Sequence, residues 1–194
     1  MIIKLNMIQE NRISTLLSLI LRHKPETIGI VLDNNGWTDV AILIEQFNQH
    51  YFYIDKEILE YVVETNSKKR FAFNEDHSKI RASQGHSVHI DVAYPPQKPL
   101  PVLYHGTGEK SVDSIMATGL QKRQRCHVHL SADIETAIIV GRRHGKPCIF
   151  QIDAEAMYND MYDFFLSDNG IWLTDIVPVQ YLKKYANSHS GRLT

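Results

Sequence analysis

Leucines and isoleucines recur at helical spacing over residues 8–24 (Ile13, Leu16, Leu17, Ile20, Leu21), which predicts an amphipathic helix with Arg22 and His23 in its last turn. Pro25 cannot easily continue that helix, and its ring disfavours helical backbone at the residue before it. A second apolar stretch, Val40 to Phe47, follows Gly36-Trp37-Thr38, with Thr38 or Asp39 placed as its N-cap. Asp55 is placed to cap a third helix carrying Ile58, Leu59, Val62 and Val63. Arg70-Phe71-Ala72-Phe73, a turn from Asn74 to Lys79, and Ile80-Arg81-Ala82 then read as a β-hairpin. Three short helices followed by a hairpin is the order of a winged helix, which docks on nucleic acid in some proteins and is a plain scaffold in others.

The prolines from Tyr94 to Pro101 stiffen the chain and break elements, so a linker is predicted over residues 93–101. It separates a first domain (1–92) from a second (102–194). In the second, Val102 to His105 reads as a strand running into Gly106-Thr107-Gly108. A short helix follows over about Ser111 to Ala117, with Gly119 placed to end it. Val128-His129-Leu130 is another strand, Ser131 can cap a helix from about Asp133 to Arg143, and Cys148 to Ile152 is a further strand. Phe164 to Leu166 and Gly170 to Leu173 flank a Ser-Asp-Asn-Gly turn, a second hairpin. Many short strands with few helices predict an α+β domain of mostly antiparallel sheet.

Composition narrows this little. The 194 residues suffice for one large domain or two small ones, and the formal net charge of −1 supplies no global field for a polyanion. An anionic partner therefore needs a local cluster of cations. Two cysteines make no disulfide framework. The start of the chain, with Lys4 and polar residues through Arg12, lacks an apolar signal-peptide core. The apolar run at 14–21 is too short and too interrupted to span a membrane, so a cytoplasmic, monomeric protein is expected.

The candidate chemistry is cationic. Arg22 and His23 close the first helix, Arg70 sits in Lys-Lys-Arg-Phe, and Arg125 precedes the His-Val-His-Leu-Ser run at 127–131. Three guanidiniums and an imidazole, if they converge, hold a doubly charged phosphate and move protons beside it, because arginine stays charged and grips phosphate oxygens in pairs. Arg123 competes with Arg125 for the third position, and spacing favours Arg125. Cys126, His127 and His129 lack the ligand spacing of a zinc site, so no metal is expected. No Gly-x-Gly-x-x-Gly follows a strand, so no Rossmann site is indicated. Arg142, Arg143, His144 and Lys146 read as a solvated helix end, and Trp37 and Trp172 as core.

Leu21-Arg22-His23-Lys24-Pro25, Lys69-Arg70-Phe71, Gln84-Gly85-His86-Ser87, His105-Gly106-Thr107, Arg125 with His127 to Ser131, and Trp172-Leu173-Thr174-Asp175 occur in that order. The set resembles the RNA 2′-phosphotransferase family, also called tRNA 2′-phosphotransferase, over about residues 10–182. The resemblance implies a winged-helix lobe that binds RNA and its phosphate, followed by an ADP-ribosyltransferase-like lobe that binds NAD. It also implies a role in tRNA processing: removal of an internal 2′-phosphate from RNA with NAD⁺ consumed as co-substrate. The reaction would pass through an ADP-ribosylated RNA 2′-phosphate to 2′-hydroxyl RNA, nicotinamide and ADP-ribose 1″,2″-cyclic phosphate. The family's catalytic tetrad carries over to Arg22, His23, Arg70 and Arg125. Its dinucleotide contacts carry over to His105, Gly106, Thr107, Gly119, His129 and Ser131, and RNA contacts to Lys24, Gln84 and His86. The competing readings are an ADP-ribosyltransferase that stops after the first step, capping terminal phosphates of RNA or DNA, and a non-catalytic winged-helix binding module.

Overall fold

The computed structural model describes residues 5–185, so Lys4 and the last nine positions of the second predicted domain lie outside the described residues. The chain forms two compact units. The first runs to Tyr94 and includes two short returns, Gln124–Cys126 and Ser167–Asn169; the second holds Pro95–Arg123, His127–Leu166 and the chain from Gly170 onward.

In the first unit, α1 (Met7–Arg22) opens with Asn6, whose side chain accepts from Gln9 N–H while the Gln9 side chain accepts from Asn6 N–H. Its buried face is Ile13, Ser14, Leu17, Ile20 and Leu21, and burying each large aliphatic side chain contributes roughly 2 kcal/mol. The helix stops at Arg22, with His23 as its C-cap, and a short 3₁₀ turn starts at Pro25. Next come β1 (Thr38–Asp39), α2 (Val40–His50) and α3 (Lys56–Thr65), the two helices capped by the carboxylates of Asp39 and Asp55. β2 (Phe71–Phe73) and β3 (Lys79–Ala82) form the expected hairpin. β1 pairs antiparallel on the other side of β3, giving the order β1-β3-β2. Leu17, Leu21, Leu43, Phe47, Leu59 and Ile80 share the core.

The second unit contains β4 (Val102–Gly108), α4 (Val112–Thr118), β5 (Leu120–Gln121), β6 (Val128–Leu130), α5 (Ile134–Arg142) and β7 (Pro147–Asp153). It continues with α6 (Ala154–Asn159), β8 (Phe165–Leu166), β9 (Trp172–Thr174), β10 (Ile176–Val177) and β11 (Leu182–Lys184). The sheets read β11-β7-β4, β6-β9-β8 and β10-β5, with every pairing antiparallel. Tyr104 and Ser131 exchange both backbone hydrogen bonds (2.9 and 2.7 Å) and so join β4 to the end of β6. The protein is thus α+β, as its patterning predicts.

The strand read as running into Gly106-Thr107-Gly108 continues through all three as β4, and at Gly106 and Gly108 neighbouring backbone comes so close that only glycine fits. A Cβ on Gly106 would stand 1.7 Å from the Ala137 carbonyl oxygen, and one on Gly108 would stand 2.2 Å from that of His144. Ser131 does not cap α5: its backbone is committed to Tyr104, and the Asp133 carboxylate accepts from Thr136 N–H instead. The sequence pattern also missed α6, β5, β10 and β11, which are too short to show a period.

Gly106→Ala should therefore destabilise the protein by at least about 3 kcal/mol, since backbone rather than a flexible side chain must move. Equilibrium denaturation of this variant beside wild type measures it. An unchanged midpoint would mean that α5 shifts freely.

Candidate functional site

The end of α1 is held by backbone hydrogen bonds from a distant loop. The Arg22 carbonyl, which the helix leaves without an intrahelical partner, accepts from Ser87 N–H (2.9 Å) and Val88 N–H (3.4 Å). The same loop receives the return carrying Arg125: Cys126 N–H donates to the His86 carbonyl (3.2 Å) and Cys126 Sγ to the Val88 carbonyl (3.4 Å). Arg70 arrives from the start of β2. Arg22 Nη2 donates to the Arg70 carbonyl (3.3 Å), which also accepts from Ser83 N–H (2.9 Å). Arg22, His23, Arg70 and Arg125 therefore all belong to the first unit.

Polar side chains fix Arg70 from behind. Ser14, buried two turns before Arg22 on α1, accepts from Asn66 Nδ2 (3.0 Å) and Arg70 Nη1 (3.4 Å). Asn66 Oδ1 accepts from Arg70 N–H (3.3 Å). Ser83, 1% exposed, donates its hydroxyl to the Lys69 carbonyl (3.0 Å), which helps hold Lys69 at a φ of 42°, a conformation costly for a residue with a side chain. Neither Ser14, Asn66 nor Ser83 stood out in the sequence. A serine on the apolar face of a helix was the one available signal.

The cluster is electrostatically strained. Burial first, then the charges of Arg70 and Arg125, depress the Arg22 guanidinium from 12.5 to about 10. Holding it protonated below that pH costs roughly 3 kcal/mol relative to water. Among the described residues no carboxylate pairs with Arg22, and its Nε has no hydrogen-bond partner. The C-terminal end of the α1 dipole offsets a fraction, about 0.3–1 kcal/mol. Burial, then Arg22 and Arg125, also hold the His23 imidazole below its ordinary value. A bound dianion would relieve all three repulsions. His23 itself is exposed, with Nδ1 2.9 Å from the Ser87 hydroxyl.

The remaining candidates divide. Lys24 is exposed and Gln84 half-buried. His86 is buried, at 1% exposed. Gly85 takes a φ of 90° beside the Arg22 side chain. Arg123 lies in the second unit, whereas Arg125 is the one that acts on Arg22. Trp172 is buried; Trp37 is half-buried, its ring covered by the Arg81 guanidinium at 4.5 Å.

In the second unit, the Nδ1 of His105 on β4 lies 3.0 Å from the His129 carbonyl on β6, so the ring donates there and its Nε2 carries the lone pair in the neutral form. Thr107 and Ser131 are buried. Packing also demands glycine at two of the candidate positions: a Cβ on Gly106 would run into the Ala137 carbonyl oxygen of α5, and one on Gly119 (φ 77°) would meet the Val177 carbonyl oxygen at 2.2 Å.

The protein is thus α+β, with two further guanidiniums and an imidazole near the buried Arg22, a set whose chemistry suits a multiply charged oxyanion. The chain belongs to the RNA 2′-phosphotransferase, Tpt1/KptA family, whose model matches residues 8–176. It is 53% identical over 171 residues to a probable RNA 2′-phosphotransferase of Flavobacterium johnsoniae, covering 88% of this chain and 94% of the relative. A protein of the same description from Trichormus variabilis is 54% identical over the same length and shares, and one from Agrobacterium fabrum is 49% identical over 175 residues (90% and 94%).

Saturating inorganic phosphate should raise the unfolding midpoint of the wild type by about 2–5 °C and leave that of Arg22→Gln unmoved. Equal shifts in both would place the anion elsewhere. The folded state favours neutral His23, so this residue costs stability as pH falls through 6.5, with the full cost below its lowered folded value. Denaturation at about pH 7.5 and about pH 5.5 should show a smaller acid loss for His23→Gln than for wild type.

Proposed function

We propose that this protein removes an internal 2′-phosphate from RNA in an NAD⁺-dependent two-step transfer, with tRNA-like RNA as substrate. The observation carrying the reading is the gathering of Arg22, His23, Arg70 and Arg125 around the end of α1, with Arg22 unneutralised. The first unit is read as a winged helix, supported by the element order α1, β1, α2, α3, β2, β3 and the strand order β1-β3-β2. The second is read as an ADP-ribosyltransferase-like lobe that binds NAD⁺. Its residues fit a dinucleotide ribose in part: His105 Nε2, fixed as an acceptor by the bond from Nδ1, suits a ribose hydroxyl, and half-buried His129 lies beside it.

NAD⁺ supplies an anomeric carbon with a cationic leaving group, so nicotinamide departs with the glycosidic electron pair and needs no protonation. The protein's part in that step is to orient the RNA 2′-phosphate for attack, a proximity effect. In the second step the ribose 2″-oxygen bonds to phosphorus as the RNA 2′-oxygen leaves. Arg22, Arg70 and Arg125 stabilise charge on the equatorial oxygens. His23, its imidazole held below the ordinary value by burial and then by Arg22 and Arg125, takes the 2″-hydroxyl proton and delivers one to the RNA 2′-oxygen.

Incubation with 2′-phosphorylated RNA, with and without NAD⁺, followed by mass analysis tests this. Dephosphorylated RNA and ADP-ribose 1″,2″-cyclic phosphate should form only with NAD⁺. A persisting ADP-ribosylated phosphate would support the one-step capping reaction instead. Arg70→Ala should slow the second step more than the first, by about 100-fold or more, and so accumulate ADP-ribosylated RNA.

A further inference from the structure

The reading above gives His23 a proton to move but does not say which ring nitrogen moves it. On the functional reading just given, we propose that Ser87 is the positioning residue of His23: its hydroxyl accepts from Nδ1–H, leaving Nε2 as the nitrogen that exchanges the proton.

The geometry is built from two sides. Ser87 Oγ lies 2.9 Å from His23 Nδ1, within the range of a hydrogen bond. Its own backbone is not free to wander, because Ser87 N–H and Val88 N–H both donate to the Arg22 carbonyl, one residue before His23. The His23 N–H in turn donates to the Leu19 carbonyl inside α1. Serine and histidine are thus registered against the same helix end, 64 residues apart in sequence.

The partner's chemistry matters as much as its position. A carboxylate at Ser87 would pin Nδ1–H but stabilise the imidazolium and neutralise part of the cationic cluster. A hydroxyl fixes the ring while leaving the field of Arg22, on the same helix end, and Arg125, on the returning segment, to keep the imidazole neutral. The proton cycle then closes on one atom. Nε2 accepts from the attacking 2″-hydroxyl, Nδ1–H stays on Ser87 throughout, and Nε2 returns the proton to the leaving RNA 2′-oxygen.

Ring-nitrogen NMR of His23 tests this without any turnover, and so independently of the functional reading. Wild type should show the Nδ1–H tautomer with a lone pair at Nε2. Ser87→Ala should shift the ring toward a mixture, Ser87→Thr should restore it, and Ser87→Asp should raise the imidazole pKa. An Nε2–H tautomer in wild type, or one unchanged in Ser87→Ala, overturns the proposal. In single turnover, Ser87→Ala should slow decay of ADP-ribosylated RNA about threefold to tenfold, the range expected for losing one neutral hydrogen bond, and Ser87→Thr should recover it. Phosphate affinity should stay at the wild-type value. A Ser87→Ala defect confined to phosphate affinity, or one that threonine does not rescue, marks a merely structural role. Absence of any NAD⁺-dependent reaction in wild type would defeat the functional reading and leave the tautomer result standing.

Discussion

The Arg22 carbonyl is the point on which the first unit's chemistry depends. A helix must leave its last carbonyls without intrahelical partners, and here the unmet acceptor recruits the backbone of residues 87 and 88. That loop carries Ser87 to His23 and receives the segment that bears Arg125. The Arg22 side chain meanwhile donates to the Arg70 carbonyl. One helix terminus thus collects groups from four stretches of chain.

What it collects repels itself. Arg22 is depressed to about 10 by burial and by the other two guanidiniums, so the folded protein carries an electrostatic cost that no carboxylate among the described residues offsets. Neutral acceptors, the Ser14 hydroxyl and the Arg70 carbonyl, orient the arginines without cancelling their charge. The hydrophobic face of α1 supplies the compensating stability, because Leu17, Ile20 and Leu21 are fully buried immediately before the cationic end.

The second unit rests on a different constraint, the close approach of α5 to β4. Gly106 allows the β4 backbone to meet that of Ala137 on α5, and Gly108 allows it to meet the His144 carbonyl just beyond the helix. The His105 ring on β4 is oriented by its bond to the His129 carbonyl on β6.

The sequence by itself determined the elements that have a period or a punctuation mark. α1, α2 and α3 were legible from apolar spacing and from Asp and Pro at their ends, and the β2–β3 and β8–β9 hairpins from their turn residues. The cationic residues were legible as types, since only arginine and histidine bring that chemistry. Tertiary structure alone decided which of them meet. Arg70 lies 48 residues from Arg22, and residues 124–126 fold back into the first unit although they follow the proline-rich segment. It also decided the neutral supports at Ser14, Asn66, Ser83 and Ser87, and the burial of His86. Local sequence encodes backbone propensity within a few residues. A hydrogen bond between groups tens of residues apart exists only once the hydrophobic cores have fixed the backbone that carries them.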